Sequence, residues 1–238
     1  MKMQEKSSII KEVPILMSTP MVIALLDGTK TETRRDKNLK EINENPREWT
    51  CNHKKINKNG VFYTLYNVLN EEVKTIKQPW QKGNILWCKE TWKPSLSVGF
   101  APDSSQSVIL FKADGERVQV PKEEEEWFKE LTKNGRFTYK SSMFMRRKFA
   151  RIFLEVTNVS LERLHSITPL QCINEGIESK MGNRTDLYRN YMAKDEWTAD
   201  AVLSYKSLWE KINGIGSWKS NPWIWRIEFT KLNNYKKQ

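Results

Sequence analysis

The clearest order in this chain is the alternation of apolar and polar side chains in two stretches. Across residues 148–159, Ala150, Ile152, Leu154 and Val156 fall on one side of an extended backbone, and Arg151, Phe153, Glu155 and Thr157 on the other. Residues 223–230 repeat the period of two, with Trp223, Trp225, Ile227 and Phe229 set against Ile224, Arg226, Glu228 and Thr230. Successive side chains of a strand point to opposite faces, so both stretches predict strands with one buried face. Shorter β-rich runs at 15–17, 61–69, 84–89 and 108–113 predict further strands, and residues 95–107 are rich in turn formers.

Three segments carry helical spacing. Thr19-Pro20 opens and Gly28 closes a helix over about 20–27, with Met21, Ala24 and Leu25 as its inner stripe. The device returns at Thr168-Pro169 and Gly176, where Gln171 completes a capping box. Val202, Tyr205, Leu208, Trp209 and Ile212 predict a helix over 201–213 that stops at Gly214. Residues 1–13 read as a polar, flexible arm and 233–238 as a basic tail. Between them, 14–232 reads as one domain with a surface insertion at about 95–141, which holds acidic residues 123–126 and a helical stretch at 127–131. There is no internal repeat. Several strands with a few short helices give an α+β class, with a β-barrel as its expected frame.

Composition changes this picture in two ways. Mean hydropathy is −0.69, and the longest apolar run, 21–26, is far too short to cross a bilayer. With no apolar leader at the N-terminus, the expectation is a cytoplasmic protein without membrane contact. Cys51, Cys88 and Cys172 are odd in number and far apart, which predicts reduced, mostly buried thiols. Cys51 and His53 have no second cluster with which to hold zinc, so neither metal nor cofactor is expected.

The second change is charge. Forty basic residues against 29 acidic ones leave a net charge of +11, which favours an anionic partner such as RNA or a nucleotide. The excess concentrates at 136–151, where six basic residues stand among Phe137, Tyr139, Phe144 and Phe149 with no acid. Arg146, Arg147, Lys148 and Arg151 are therefore candidate nucleic-acid contacts. The plainer reading is a solvated basic loop leading into a strand.

Residues 28–35, Gly-Thr-Lys-Thr-Glu-Thr-Arg-Arg, and residues 83–90, Gly-Asn-Ile-Leu-Trp-Cys-Lys-Glu, form a pair of motifs. Together with Thr91-Trp92, the segment 151–159 with its following helix, and Asn221-Pro222-Trp223-Ile224-Trp225, they resemble the ASCH domain. The resemblance implies a PUA-like barrel, a fold used for RNA binding, with insertions as in long phage-encoded members. Some bacterial ASCH proteins are acetylcytidine amidohydrolases that use a Lys, a Thr and a Glu, and ribonuclease activity has been attributed to others. Carried over, those residues are Lys30, Thr33 and Glu90.

The implied chemistry is coherent. A Thr hydroxyl needs a base, a Lys serves as one when its pKa is lowered, and a carboxylate can shuttle a proton to the leaving group. Arg34 and Arg35 could hold a phosphate, one of them facing the ligand because neighbours on a strand point apart. Trp92 could stack a base, whereas Trp87, Trp209, Trp223 and Trp225 sit at core-type positions. The structural alternative makes Lys30 a helix-end cation and Glu90 its ion-pair partner. The expectation is an RNA- or modified-nucleoside-binding protein with amide or phosphodiester hydrolysis as its chemistry. Its alternatives are a non-enzymatic RNA-binding module, or a phage accessory protein that binds other proteins.

Overall fold

A computed structural model describes residues 11–97, 106–233 and 235. The chain opens with β1 (Glu12–Leu16), α1 (Thr19–Leu26) and β2 (Glu32–Arg35), then forms a meander of β3 (Trp49–Asn57), β4 (Gly60–Asn67) and β5 (Val73–Lys77). After β6 (Ile85–Lys89) come β7 (Trp92–Ser97), β8 (Gln106–Phe111), β9 (Arg117–Gln119) and α2 (Glu125–Thr132). The chain then returns through β10 (Phe153–Arg163) and α3 (Pro169–Asn174) to a small sheet of β11 (Ser179–Met181), β12 (Asp186–Arg189) and β13 (Trp197–Thr198). It ends with α4 (Ala201–Asn213) and β14 (Trp223–Leu232).

The central sheet has the order β1-β6-β10-β14-β2, parallel only where β1 meets β6. Its inner residues Leu86, Leu154, Val156, Trp225 and Ile227 are buried together with Val22 and Leu25 of α1 and Tyr205 and Leu208 of α4. Burial of such side chains contributes about 1.5–3 kcal/mol each. The expected barrel is corrected to an open sheet: β1 and β2 are its edges and do not pair. Where a closed barrel would continue the main-chain ladder, Arg35 Nη2 instead donates to Leu16 O at 3.0 Å. Among the described residues no helix is long and apolar enough to cross a membrane.

The inserted segment has a core of its own. Trp92, Ile109, Phe111, Val120, Phe128, Met145 and Phe149 form a separate buried cluster, with the Trp127 ring stacked on Phe149 at 5.3 Å. The insertion therefore begins with β7 at Trp92 and extends past 141, because Phe149 enters its core. Residues 147–149 form a short 3-10 turn, so the strand expected from 148 starts only at Phe153. At the N-terminus, Glu12 and Val13 belong to β1, while the rest of the expected arm, most of the tail and residues 98–105 lie outside the described residues. Two burial expectations are also corrected, since Cys51 is exposed and Trp87 only half-buried.

Candidate functional site

The segment joining α1 to β2 fixes the first half of the site. Gly28 takes φ +84°, a left-handed turn that side chains disfavour, and Asp27 Oδ1 accepts from Thr29 N at 2.9 Å. Lys30 follows, with its ammonium drawn inward. The second half comes from α3, which Thr168 and Gln171 cap in the expected box. Its C-terminal cap, Glu175, lies against α1 because Gly176 has no Cβ: one built there would meet Ala24 Cβ at 2.7 Å and Lys30 Cβ at 3.0 Å.

These elements bring together a buried charge network. Lys30 Nζ donates to Glu32 O (2.9 Å), Glu175 O (2.6 Å) and Glu175 Oε2 (2.8 Å). Arg34 Nη1 donates to Glu32 Oε1 (2.7 Å) and Glu175 Oε1 (3.3 Å), and Arg34 Nη2 to Glu162 Oε1 (3.3 Å) and Gln171 Oε1 (3.2 Å). Arg226 closes the group on Glu32 Oε2, and the Tyr205 hydroxyl donates to Glu175 Oε1 at 3.2 Å. Burial works against the Glu175 carboxylate, but Lys30 and Arg34 overcome it and hold its carboxyl below the ordinary value. For Lys30 burial prevails and lowers the pKa, with Glu175 opposing it. Burial and Glu175 push the Tyr205 phenol well up, which keeps it a donor.

The trio Lys30, Thr33 and Glu90 is not assembled into one hydrogen-bonded group. Lys30 is committed to Glu175 and Glu32. Thr33 is fully buried, and its Oγ1 accepts from Arg35 Nη1 at 2.8 Å. Glu90 forms a two-point pair with Arg151, at 2.9 Å to Nε and 2.8 Å to Nη2. Burial pushes the Glu90 carboxyl up, and Arg151 pulls the other way. A lysine ammonium has three protons and no lone pair. With all three directed at acceptors, Lys30 is placed as a structural cation rather than a base.

A cleft of about 450 Å³ lies beside this network. Leu16, Met17 and Met21 form one wall, Leu208, Trp209 and Ile212 of α4 another, and Ser141 and Ser142 of the insertion a third. Arg34 and Arg35 both line it, although alternation predicts that only one should. Arg35 lies at the end of β2, where its guanidinium is tethered by Thr33 Oγ1, Arg34 O and Leu16 O. All three are neutral acceptors, and among the described residues no carboxylate pairs with Arg35. Two lining residues also carry buried donors without an acceptor among the described residues, Arg34 Nε and Trp209 Nε1.

The other candidates fall outside the cleft. Trp92 is 1% exposed and packs in the insertion's core, which leaves no free face for a base. The basic run at 136–151 lacks acids in sequence but not in space. Arg147 grips Glu12 at 2.5 and 2.7 Å, Arg146 and Lys148 share Glu124, and Arg151 joins Asp114 and Glu116 as well as Glu90. Among the described residues no group of three or more His, Cys, Asp or Glu is arranged to hold a metal.

Sequence reasoning missed Glu175 and Glu32. Glu175 did carry a signal: a carboxylate at the negative end of a helix is unfavourable unless cations meet it. Glu32 lies inside the motif at 28–35 but gives no sign of burial. In comparisons with known proteins, the chain matches no family model, no curated protein and no solved structure.

Proposed function

We propose that this chain is a binding module for a nucleoside phosphate, free or as one nucleotide of an RNA, held in the cleft without being turned over. The observation that carries this reading is Arg35, a cation with only neutral partners at the rim of an apolar cleft. An anionic group is what it lacks. The apolar walls suit a planar ring, and the Arg34 Nε and Trp209 Nε1 donors suit the acceptor atoms of a base or sugar. Binding is favoured over hydrolysis because neither Lys30 nor Glu90 lines the cleft, and each is engaged elsewhere. The ASCH-type motifs support a PUA-like relationship in which the barrel is left open at the cleft, since residues 30–35 fall on and just before β2 and residues 85–89 on β6. A cytoplasmic setting fits the two buried free thiols, Cys88 and Cys172.

The test is calorimetric titration with nucleoside 5′-monophosphates, the matching nucleosides and a short RNA. Monophosphates should bind better than nucleosides. Arg35→Ala should weaken binding about 10- to 150-fold, the equivalent of one charge-assisted hydrogen bond. No binding at millimolar concentration, or equal binding by the variant, would refute the reading.

A further inference from the structure

The β3–β4–β5 sheet presents a second surface, away from the cleft. Its inner side is anchored to the central core: Leu65 is fully buried, and Tyr63 meets the Trp225 ring edge-on at 5.3 Å. Alternation along β4 then turns Phe62, Thr64 and Tyr66 outward, where all three are half-buried. The register places Lys55 and Lys77 on either side of Phe62 in one row. The next row carries His53 beside Thr64, and the third carries Tyr66. The positions in these rows include no acid. The Lys77 ammonium lies 5.8 Å from the Phe62 ring centre.

Charge distinguishes this face from the basic run at 136–151. Between residues 50 and 82 there are six lysines and two glutamates. Lys74, on the inner side, is held by Glu41 and Glu72. Lys55 and Lys77 have no carboxylate partner among the described residues. The chain's surplus positive charge is thus uncompensated here, around two aromatic rings on the central strand of a sheet. Four residues of strand separate Phe62 from Tyr66 by roughly 13 Å, so one base cannot touch both rings.

We propose that the outward face of β3–β4–β5 docks single-stranded nucleic acid, with Phe62 and Tyr66 each stacking a base and Lys55 and Lys77 holding the phosphates between them. This inference does not rest on the cleft. A folded, acid-free sheet face with separated rings and flanking lysines matches the chemistry of such a strand, in which every base offers a ring face and every linkage a negative charge. An acidic peptide would satisfy the lysines but leave the rings without stacking partners.

Fluorescence anisotropy of the full chain with labelled oligouridylate and oligoadenylate of about 12 nucleotides tests the proposal. Phe62→Leu and Tyr66→Leu, which keep apolar bulk but lose the ring, should each weaken binding about 5- to 150-fold. Lys55→Gln with Lys77→Gln should reduce the logarithmic salt slope by about 1.4, or 0.7 per phosphate released. Arg35→Ala should leave this binding intact, which separates the sheet from the cleft. Wild-type affinity in the Leu variants would overturn the proposal. So would oligoglutamate or heparin binding as tightly as RNA with no dependence on either ring, the mark of a general polyanion patch.

Discussion

Glu175→Gln is the sharpest test of the buried network, because one carboxylate there receives Lys30, Arg34 and Tyr205. The substitution keeps the shape and removes the charge. Lys30 then keeps only carbonyl acceptors, while Arg34 keeps Glu32, which it shares with Arg226, and the more exposed Glu162. Glu175 is 2% exposed, Lys30 3% and Arg34 2%, so water cannot stand in. Removing one partner of a buried ion pair costs about 3–5 kcal/mol. For a chain of this length that lowers the melting temperature by roughly 6–20 °C. Urea unfolding of wild type, Glu175→Gln, Lys30→Met and the double variant measures it. The double variant should be less destabilised than the sum of the singles, because Lys30→Met removes one of the stranded cations. A cost under about 1 kcal/mol for Glu175→Gln, or strict additivity, would show that the network contributes little.

Three further outcomes follow from the same geometry. The Glu175 carboxyl is held below its unfolded value of about 4.3, so in that window the unfolded chain binds more protons; its contribution is complete above the unfolded pKa and is lost as pH falls through the folded one. Acid unfolding monitored by circular dichroism should show this loss in wild type and less of it in Glu175→Gln. Gly176→Ala meets Ala24 and Lys30 at a backbone with φ +79°, and should destabilise by about 1–3 kcal/mol in urea titrations, whereas Gly28→Ala, with open space around it, should be limited to the backbone cost. Arg146→Gln with Lys148→Gln should leave the salt dependence of RNA binding unchanged, because Glu124 already pairs with both; a flatter slope would return that run to the nucleic-acid interface.

Local rules were legible wherever the cause lay in neighbouring residues. The capping box of Thr168 and Gln171, the helix ending at Gly214 and the alternation from Trp223 onward all fall where the sequence places them. β3 escaped notice because eight of its nine residues are exposed, which erases the period of two; it exists through pairing with β4. The basic run misled for a related reason, since its carboxylates come from positions as distant as Glu12 and Glu90. The Lys30, Thr33 and Glu90 trio illustrates the same limit. Motif spacing puts these residues on adjoining elements, but their side chains are claimed by Glu175, Arg35 and Arg151, and nothing near them in sequence announces those partners.

The separate core under β7–β9 and α2 has a kinetic consequence for the cleft. Its seven buried residues form a compact unit that can open as a local excursion, at a free energy below that of global unfolding. Amide hydrogens of β8 should then exchange faster than those of β10 and β14. Because Ser141 and Ser142 form one wall of the cleft, the same excursion would widen its mouth while the central sheet stays shut. Access to the site would be gated by the breathing of an appended unit, and ligand on-rates would follow that unit's opening rather than the stability of the whole chain.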